Sequence, residues 1–327
     1  MALESVVITD CDLPGTAVSD VLRASDHPVS LAPSGSVGDI AASAGEASAL
    51  IVQWAPITGE LLDQLPRLRF ISRLGIGYDM IDVAAATERG IAVANTPAYC
   101  IEEVAAHTLA MILGQARGLK AYDSQVQAGG WSAVSARPMS VRPSQTTVSI
   151  VGLGRIGSLV AAGCAAIGFT VLVADPYQDP ELIRARGYLP VGVAEAIARA
   201  DILTLHAPLT EDTRHLVDAS TLATMKPTSS IVNTCRGPLI DEDALADALE
   251  RGTIGGAALD VFESEPLGAD SRLRGLDTVQ LSPHAAWYSS EALADLPAHA
   301  ALNVVEFLAG RRVDAILNPG YAAAVRA

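Results

Sequence analysis

Short apolar runs alternate with longer amphipathic stretches along this chain of 327 residues. Runs dominated by Val, Ile, Leu and Ala predict strands at 6–10, 28–32, 50–54, 68–73 and 91–95. Helical spacing fills the gaps at 16–24, 37–44, 59–65 and 81–89. Strands that are apolar without alternation belong to sheets covered on both faces, and repeated βα units build parallel sheets. Asn95, Thr96 and Pro97 break the series, because proline disfavours helix at the residue before it. Beyond the break, Ile101, Val104, Ala105, Thr108, Leu109, Ile112 and Ala116 recur at i, i+3, i+4 and predict an amphipathic helix of about five turns. Residues 118–146, rich in Gly, Ser, Gln and Pro, show little period and read as an irregular connecting arm.

A second βα series opens at Thr147, with strands expected at 148–151, 169–174, 202–206, 230–234, 256–261 and 278–282. A last helical pattern covers 289–310, where Pro297 predicts a bend, and the tail at 316–321 reads as extended. A chain longer than about 250–300 residues usually divides its core, so two domains are expected.

Composition narrows the function. Half of the residues are apolar and 18% are charged, which suits a well-buried globular protein. A formal net charge of −15 argues against nucleic acid as a partner, which needs a basic face. Cys11, Cys100, Cys164 and Cys235 stand far apart without a CxxC pair, as expected of reduced thiols in a cytoplasm. No spacing suggests a metal site, and no uninterrupted apolar run reaches membrane-spanning length. The N-terminal residues enter a strand pattern directly, without the marks of a secretory leader. The expectation is a soluble cytoplasmic protein with neither a nucleic-acid nor a membrane partner.

The segment at 146–175 carries the most chemical information. A strand-like run leads into Gly152, Gly154 and Gly157, then a helix, then a second apolar run that ends on Asp175. Dinucleotide binding needs this order. Gly152 permits the tight turn, Gly154 lets the backbone approach a pyrophosphate, and Gly157 lets helix and strand pack closely. The helix start at Arg155 and Ile156 presents N–H groups and a positive dipole end to the phosphates. Asp175 is placed to accept hydrogen bonds from the adenosine ribose.

Four later blocks stand at the ends of expected strands: HAPLT from His206, NTCRGP from Asn233, DVFESEP from Asp260 and SPHAAW from Ser282. Ligands of open α/β sheets bind beyond the carboxyl ends of the strands, which gathers these blocks around one ligand. Arg236 can hold a carboxylate by a two-pronged hydrogen bond. His284 can exchange a proton near neutral pH, oriented by Glu265.

The GLGRIG turn, NTCRGPLIDEDAL, ALDVFESEP and SPHAAW, in this order, resemble the D-2-hydroxyacid dehydrogenases, and SRLGIGYDMIDVAAATERGIAVANTP extends the resemblance over nearly the whole chain. HAAWYS, with DPY after the second cofactor strand, is closer to the C-terminal-binding-protein branch of that family. The resemblance implies an α/β chain of two Rossmann-like or flavodoxin-like domains with parallel sheets and an active site in the interdomain cleft. A substrate domain of residues 1–97 and 295–327 would flank an NAD-binding domain of residues 98–294. It also implies NAD(H), a small 2-oxo or 2-hydroxy acid as substrate, and a homodimer.

Residue by residue, the resemblance makes Arg236 the anchor of the substrate carboxylate and carbonyl. His284 becomes the acid for reduction and the base for oxidation, and Glu265 its support. Backbone N–H groups of Ile76 and Gly77 would complete the carboxylate cradle, with Arg73 beside them. Asp260 would anchor the nicotinamide carboxamide, while Thr234 and Cys235 line the ring. His206, Ala207 and Pro208 would flank the adenosine and its ribose. Trp287, where most branches carry a small residue, would offer an apolar wall to the substrate's side chain. His107 reads as an interface or core histidine, Trp131 as an interface or local core residue, and His27, His215 and His299 show no partner pattern. A second class of function is an NAD(H)-sensing binding protein of the corepressor type with little turnover.

Asp175 puts negative charge where a 2′-phosphate would lie, and Pro176 and Tyr177 bring no arginine to receive one. Catalytic efficiency with NADH should exceed that with NADPH, and Asp175→Ala should narrow the gap. Equal efficiency in the unaltered protein would contradict this reading.

Overall fold

The computed structural model describes residues 4–134 and 142–324. The chain divides into two compact units, one of Met1–Tyr99 with Ser289–Ala327 and one of Cys100–Tyr288.

In the first unit, strands β1 (Val6–Ile8), β2 (Val29–Leu31), β3 (Ala49–Val52), β4 (Phe70–Arg73) and β5 (Ala92–Ala94) form a parallel sheet in the order β2-β1-β3-β4-β5. Every residue of β1, β3, β4 and β5 is buried, which is why β1, β3 and β5 read as unbroken apolar runs. The helix Ser290–Leu308 returns to this unit: Ser72 donates to the Ala300 carbonyl at 2.9 Å, and the rings of Phe70 and Phe307 stack at 4.3 Å. This helix runs unbroken through Pro297, which is buried within it. The tail differs from the extended reading. Ile316 bridges Ala94, but the buried Asn318 then turns the chain, accepting from Val93 N–H and donating to the Ile91 carbonyl, and Tyr321–Ala324 is helical.

The second unit holds a sheet of seven parallel strands: β6 (Thr147–Val151), β7 (Thr170–Ala174), β8 (Leu189–Pro190), β9 (Ile202–Leu205), β10 (Ser230–Asn233), β11 (Gly256–Leu259) and β12 (Val279–Leu281). Their order is β12-β11-β10-β9-β6-β7-β8. The chain leaves β6 for β7 on one side and later returns to β9 on the other, so the topology reverses beside β6. Side chains alternate between two cores. Val151, Leu203, Leu205, Ile231 and Leu259 enter one, and Val148, Ile150, Ile202, Val232 and Ala258 enter the other.

The expected irregular arm at 118–146 is partly a helix. Gly118, at φ 64°, ends the helix Ile101–Arg117, and the chain continues at once as the helix Leu119–Gln127. No residue of that second helix is buried, so no core demands a strong apolar stripe from its sequence. Residues 135–141 of the arm lie outside the described residues.

One close approach fixes the loops after β10 and β11 against each other. A Cβ on Gly237 would overlap the carbonyl group of Phe262. Gly237→Ala should therefore destabilise the protein by about 1–3 kcal/mol, the usual cost of overpacking. The expected result is a lower urea midpoint with an unchanged denaturant slope; an unchanged midpoint would show that the two loops separate freely.

Candidate active site

The glycine turn leaves an opening of definite shape. Gly152, directly after β6, has φ 95°, and a Cβ there would lie 2.6 Å from the His206 carbonyl oxygen. A Cβ on Gly157 would overlap the Gly152 carbonyl oxygen. A Cβ on Gly154 would meet no heavy atom within 4 Å. The first and third glycines thus serve internal packing, and the second faces open space. Gly154 is also the N-cap of the helix Arg155–Ile167, and no side chain caps that end. Space and N–H groups at a helix start fit a pyrophosphate. Arg155 is exposed there, while Ile156 packs in part on the core.

Asp175 follows β7 and is tied to the same turn. Its carboxylate accepts from Leu153 N–H at 2.7 Å and from Tyr177 N–H at 2.9 Å. His206 follows β9, with Nε2 3.0 Å from the Thr204 hydroxyl. Burial pushes its imidazole down to about 4. Ala207 is buried and accepts from the Cys235 thiol at 3.0 Å, and Pro208 is exposed.

Thr234, Cys235 and Arg236 follow β10. Thr234 is buried against Thr108, with the two hydroxyl oxygens 2.7 Å apart. Cys235 N–H donates to the Asn233 side chain, whose amide in turn donates to the Arg236 carbonyl. This side-chain bridge holds the loop in shape, and the Arg236 guanidinium donates to the Cys235 carbonyl at 2.8 Å.

Asp260 follows β11. Its side chain is 1% exposed and accepts from the Ser282 hydroxyl at 2.5 Å and from the N–H groups of Ala285 and Ala286, each at 2.9 Å. The Asp260 carbonyl accepts from His284 N–H at 2.8 Å. The acid expected to meet the nicotinamide carboxamide thus also shapes the turn that carries the histidine. His284 sits in that turn at φ 51°, a left-handed conformation that a non-glycine residue keeps only when its surroundings impose it.

His284 Nδ1 lies 2.7 Å from Glu265 Oε2, and Glu265 Oε1 accepts from Phe262 N–H at 2.9 Å. Burial pushes the Glu265 carboxyl up. The hydrogen bond and charge of His284, the Phe262 N–H and the charge of Arg236 outweigh burial and hold it below the usual carboxylate range. An ionised carboxylate only accepts, so the proton between the pair belongs to Nδ1, and Nε2 is the nitrogen on the far side of the ring. Arg236, Glu265 and His284 therefore form one electrostatic unit.

The other expected residues group in the first unit. Arg73 ends β4, is buried, and lies with its guanidinium carbon 5.1 Å from the Trp54 ring centroid. Ile76 and Gly77 follow in the same loop, where Asn95 donates to the Ile76 carbonyl at 2.7 Å. Trp287 belongs to the second unit and meets Tyr288 edge-on at 5.6 Å. Two contacts escaped the reading of the chain. His215 pairs with Glu263 at 2.5 Å, although 48 residues separate them, and His107 Nε2 lies 3.1 Å from the Ser282 hydroxyl. Among the described residues no group of three or more His, Cys, Asp or Glu is placed to hold a metal ion.

Residues 109–286 match the family model described as D-isomer specific 2-hydroxyacid dehydrogenase, NAD binding domain. A glyoxylate reductase of Korarchaeum cryptofilum is 38% identical over 258 residues, 78% of this chain and 77% of that protein. A D-3-phosphoglycerate dehydrogenase of Mycobacterium bovis is 39% identical over 280 residues, 85% of this chain; the chain spans about half, 52%, of that longer protein. The crystal structure of D-lactate dehydrogenase from Aquifex aeolicus, complexed with NAD and lactic acid, superposes with a TM-score of 0.85 at 29% identity, covering 94% of this chain and 96% of that one.

His206 gives the site a pH signature. Its folded-state value of about 4 lies below the ordinary 6.5, so the folded protein resists a proton that the unfolded chain accepts. Stability should fall as pH drops below about 6.5, and this contribution should level off near 4. Urea denaturation across that window should show a shallower loss in His206→Gln. An identical slope in the variant would show that other groups set the acid sensitivity.

Proposed function

The chain belongs to the D-isomer specific 2-hydroxyacid dehydrogenase family, and on that premise we propose that it reduces a small 2-oxo acid to the D-2-hydroxy acid and catalyses the reverse oxidation, with NAD(H) as cofactor. NADH, when bound, supplies the hydride. Gly152, Gly154, Gly157, Arg155 and Ile156 would hold its pyrophosphate and Asp175 its ribose. His206, Ala207 and Pro208 would lie along the adenosine side, with Thr234, Cys235 and Asp260 at the nicotinamide. His284 donates the proton that the carbonyl oxygen takes up as the carbon is reduced, and recovers it from water. In oxidation the same nitrogen removes the hydroxyl proton.

The observation that carries this reading is the Nδ1 contact of His284 with an ionised Glu265, which turns Nε2 to proton transfer. Arg236 offsets the negative charge that develops on the carbonyl oxygen, as a fixed cation does without reorganising. Arg73, with the N–H groups of Ile76 and Gly77, would complete the hold on the carboxylate, and Trp287 would border the substrate's side chain. The relatives are named as reductases and dehydrogenases, so the low-turnover binding-protein alternative is not favoured.

Two finer features are part of the proposal. A homodimer would cover the apolar surface of Leu119, Val126, Trp131 and Val134, of which Trp131 is 90% exposed. No helix among the described residues is long and apolar enough to cross a membrane, and the separated free cysteines suit a cytoplasmic location.

Steady-state rates on a panel of 2-oxo acids with NADH test the reading. Turnover is expected on at least one acid, and His284→Ala should lower kcat by about 10²–10⁴, the range for a positioned acid or base. A near-normal rate in that variant, or no turnover of any acid by the unaltered protein, would overturn it.

A further inference from the structure

Two adjacent residues on one helix touch the two loops that carry the reaction. Thr108 is fully buried, and its hydroxyl donates to the Val104 carbonyl at 2.7 Å. Its proton being committed there, the 2.7 Å contact with Thr234 has Thr234 as donor and Thr108 as acceptor. Thr234 lies two residues before Arg236. His107 reaches the other loop. The Ser282 hydroxyl gives its proton to Asp260 Oδ1 at 2.5 Å, so the 3.1 Å contact between His107 Nε2 and the Ser282 oxygen has histidine as donor. The relay runs from His107 N–H to the Ser282 hydroxyl to the Asp260 carboxylate, which holds the N–H groups of Ala285 and Ala286. The Asp260 carbonyl takes the N–H of His284 itself.

Neighbouring helical residues differ by about 100° in direction and 1.5 Å in height, so His107 and Thr108 diverge toward different loops from a common rigid base. That base is fixed to the sheet lower down, where Gln115 donates to the Ala257 carbonyl at 2.8 Å. The two loops are far apart in sequence, since Thr234 follows β10 and Ser282 follows β12, with β11 between the two strands. The Asp260 carboxylate is the more demanding end. A buried carboxylate is costly unless hydrogen-bond donors surround it, and His107 Nε2 lies 3.8 Å from its Oδ1.

We propose that the helix Ile101–Arg117 sets the spacing of Arg236 and His284 through His107 and Thr108, which act as positioning residues for carbonyl reduction. The proposal rests on the dehydrogenase reading for its kinetic consequence, but the relay from His107 to the His284 turn is physical and does not. Loss of the His107 donor lets the Ser282 hydroxyl rotate, which loosens Asp260 and lets His284 relax from its left-handed conformation. Misplacement of a catalytic group by about 1 Å can lower the rate about 100-fold. Thr108 acts on the other partner. Replacing it by valine removes the acceptor of the buried Thr234 hydroxyl and shifts the loop that aims Arg236, the carboxylate anchor.

Histidine-selective ¹⁵N NMR, with His284→Gln to assign the His284 ring signals, tests the relay in the full chain. In His107→Phe those signals should move, and in His107→Gln, which keeps a donor, they should return toward their original positions. With glyoxylate or pyruvate and NADH, His107→Phe should lower kcat about 10- to 100-fold with KM within about twofold. Thr108→Val should instead raise KM for the acid, and Thr108→Ser should restore it. Unmoved His284 signals in His107→Phe would overturn the proposal, as would both variants shifting the same kinetic parameter. If the unaltered protein turns over no acid while the His284 signals respond, the positioning relay stands and the proposed function fails.

Discussion

Parallel hydrogen bonding between strands is the constraint from which the rest of the second unit follows. Its register aligns Val148 with Ile202, Ser230 with Ile202 and with Gly256, and Ala257 with Val279, so the strands all end on one edge. The residue directly after each of six strands is Gly152, Asp175, His206, Thr234, Asp260 or Ser282. Every one of these takes part in the candidate site or in holding it. A parallel sheet must send its chain back across a covered face after every strand, which costs about a dozen residues or more per crossover. It returns a row of loop starts, widely separated in sequence, along a single rim. The reversal of strand order beside β6 opens that rim next to the glycine turn.

Much of this was legible in the chain for a definite reason. Strands buried on both faces are largely apolar, so their positions show as runs, and the change of residue type after them marks the rim. The strand expected at 202–206 ends one residue early, at Leu205, because His206 already belongs to the loop. What stayed hidden is what burial does not encode. The helix Leu119–Gln127 buries nothing, and the edge strand Leu189–Pro190 is two residues long. Asn318 looks like an ordinary turn residue, yet its amide fixes the tail by bonding to Thr87, Ile91 and Val93. His107 stands on an amphipathic helix where a core or interface role was the natural reading, and only the placement of β12 brings Ser282 to it. The pairing of His215 with Glu263 likewise depends on topology and not on spacing.

Two acidic residues of the rim show how one sheet edge can support a mobile proton beside a rigid frame. Asp260 is closed off from water, and its carboxylate oxygens accept from the Ser282 hydroxyl and from N–H groups of the following turn. Hydrogen bonds to a charged group contribute about 1.5–3 kcal/mol each, and three of them offset much of the cost of burying the carboxylate. What they hold is geometry, the left-handed backbone of His284. Glu265 is less enclosed, with its side chain 32% exposed, and one of its oxygens faces a ring that can gain and lose a proton. Its other oxygen is fixed by Phe262 N–H, so the carboxylate cannot rotate away when the charge on the ring changes. Gly237, pressed against the Phe262 carbonyl, restrains the loop on which that N–H stands and ties it to the segment just after Arg236. The division of labour follows from exposure. The acid that water cannot reach sets a backbone, while the acid that water partly reaches orients the ring that carries the proton.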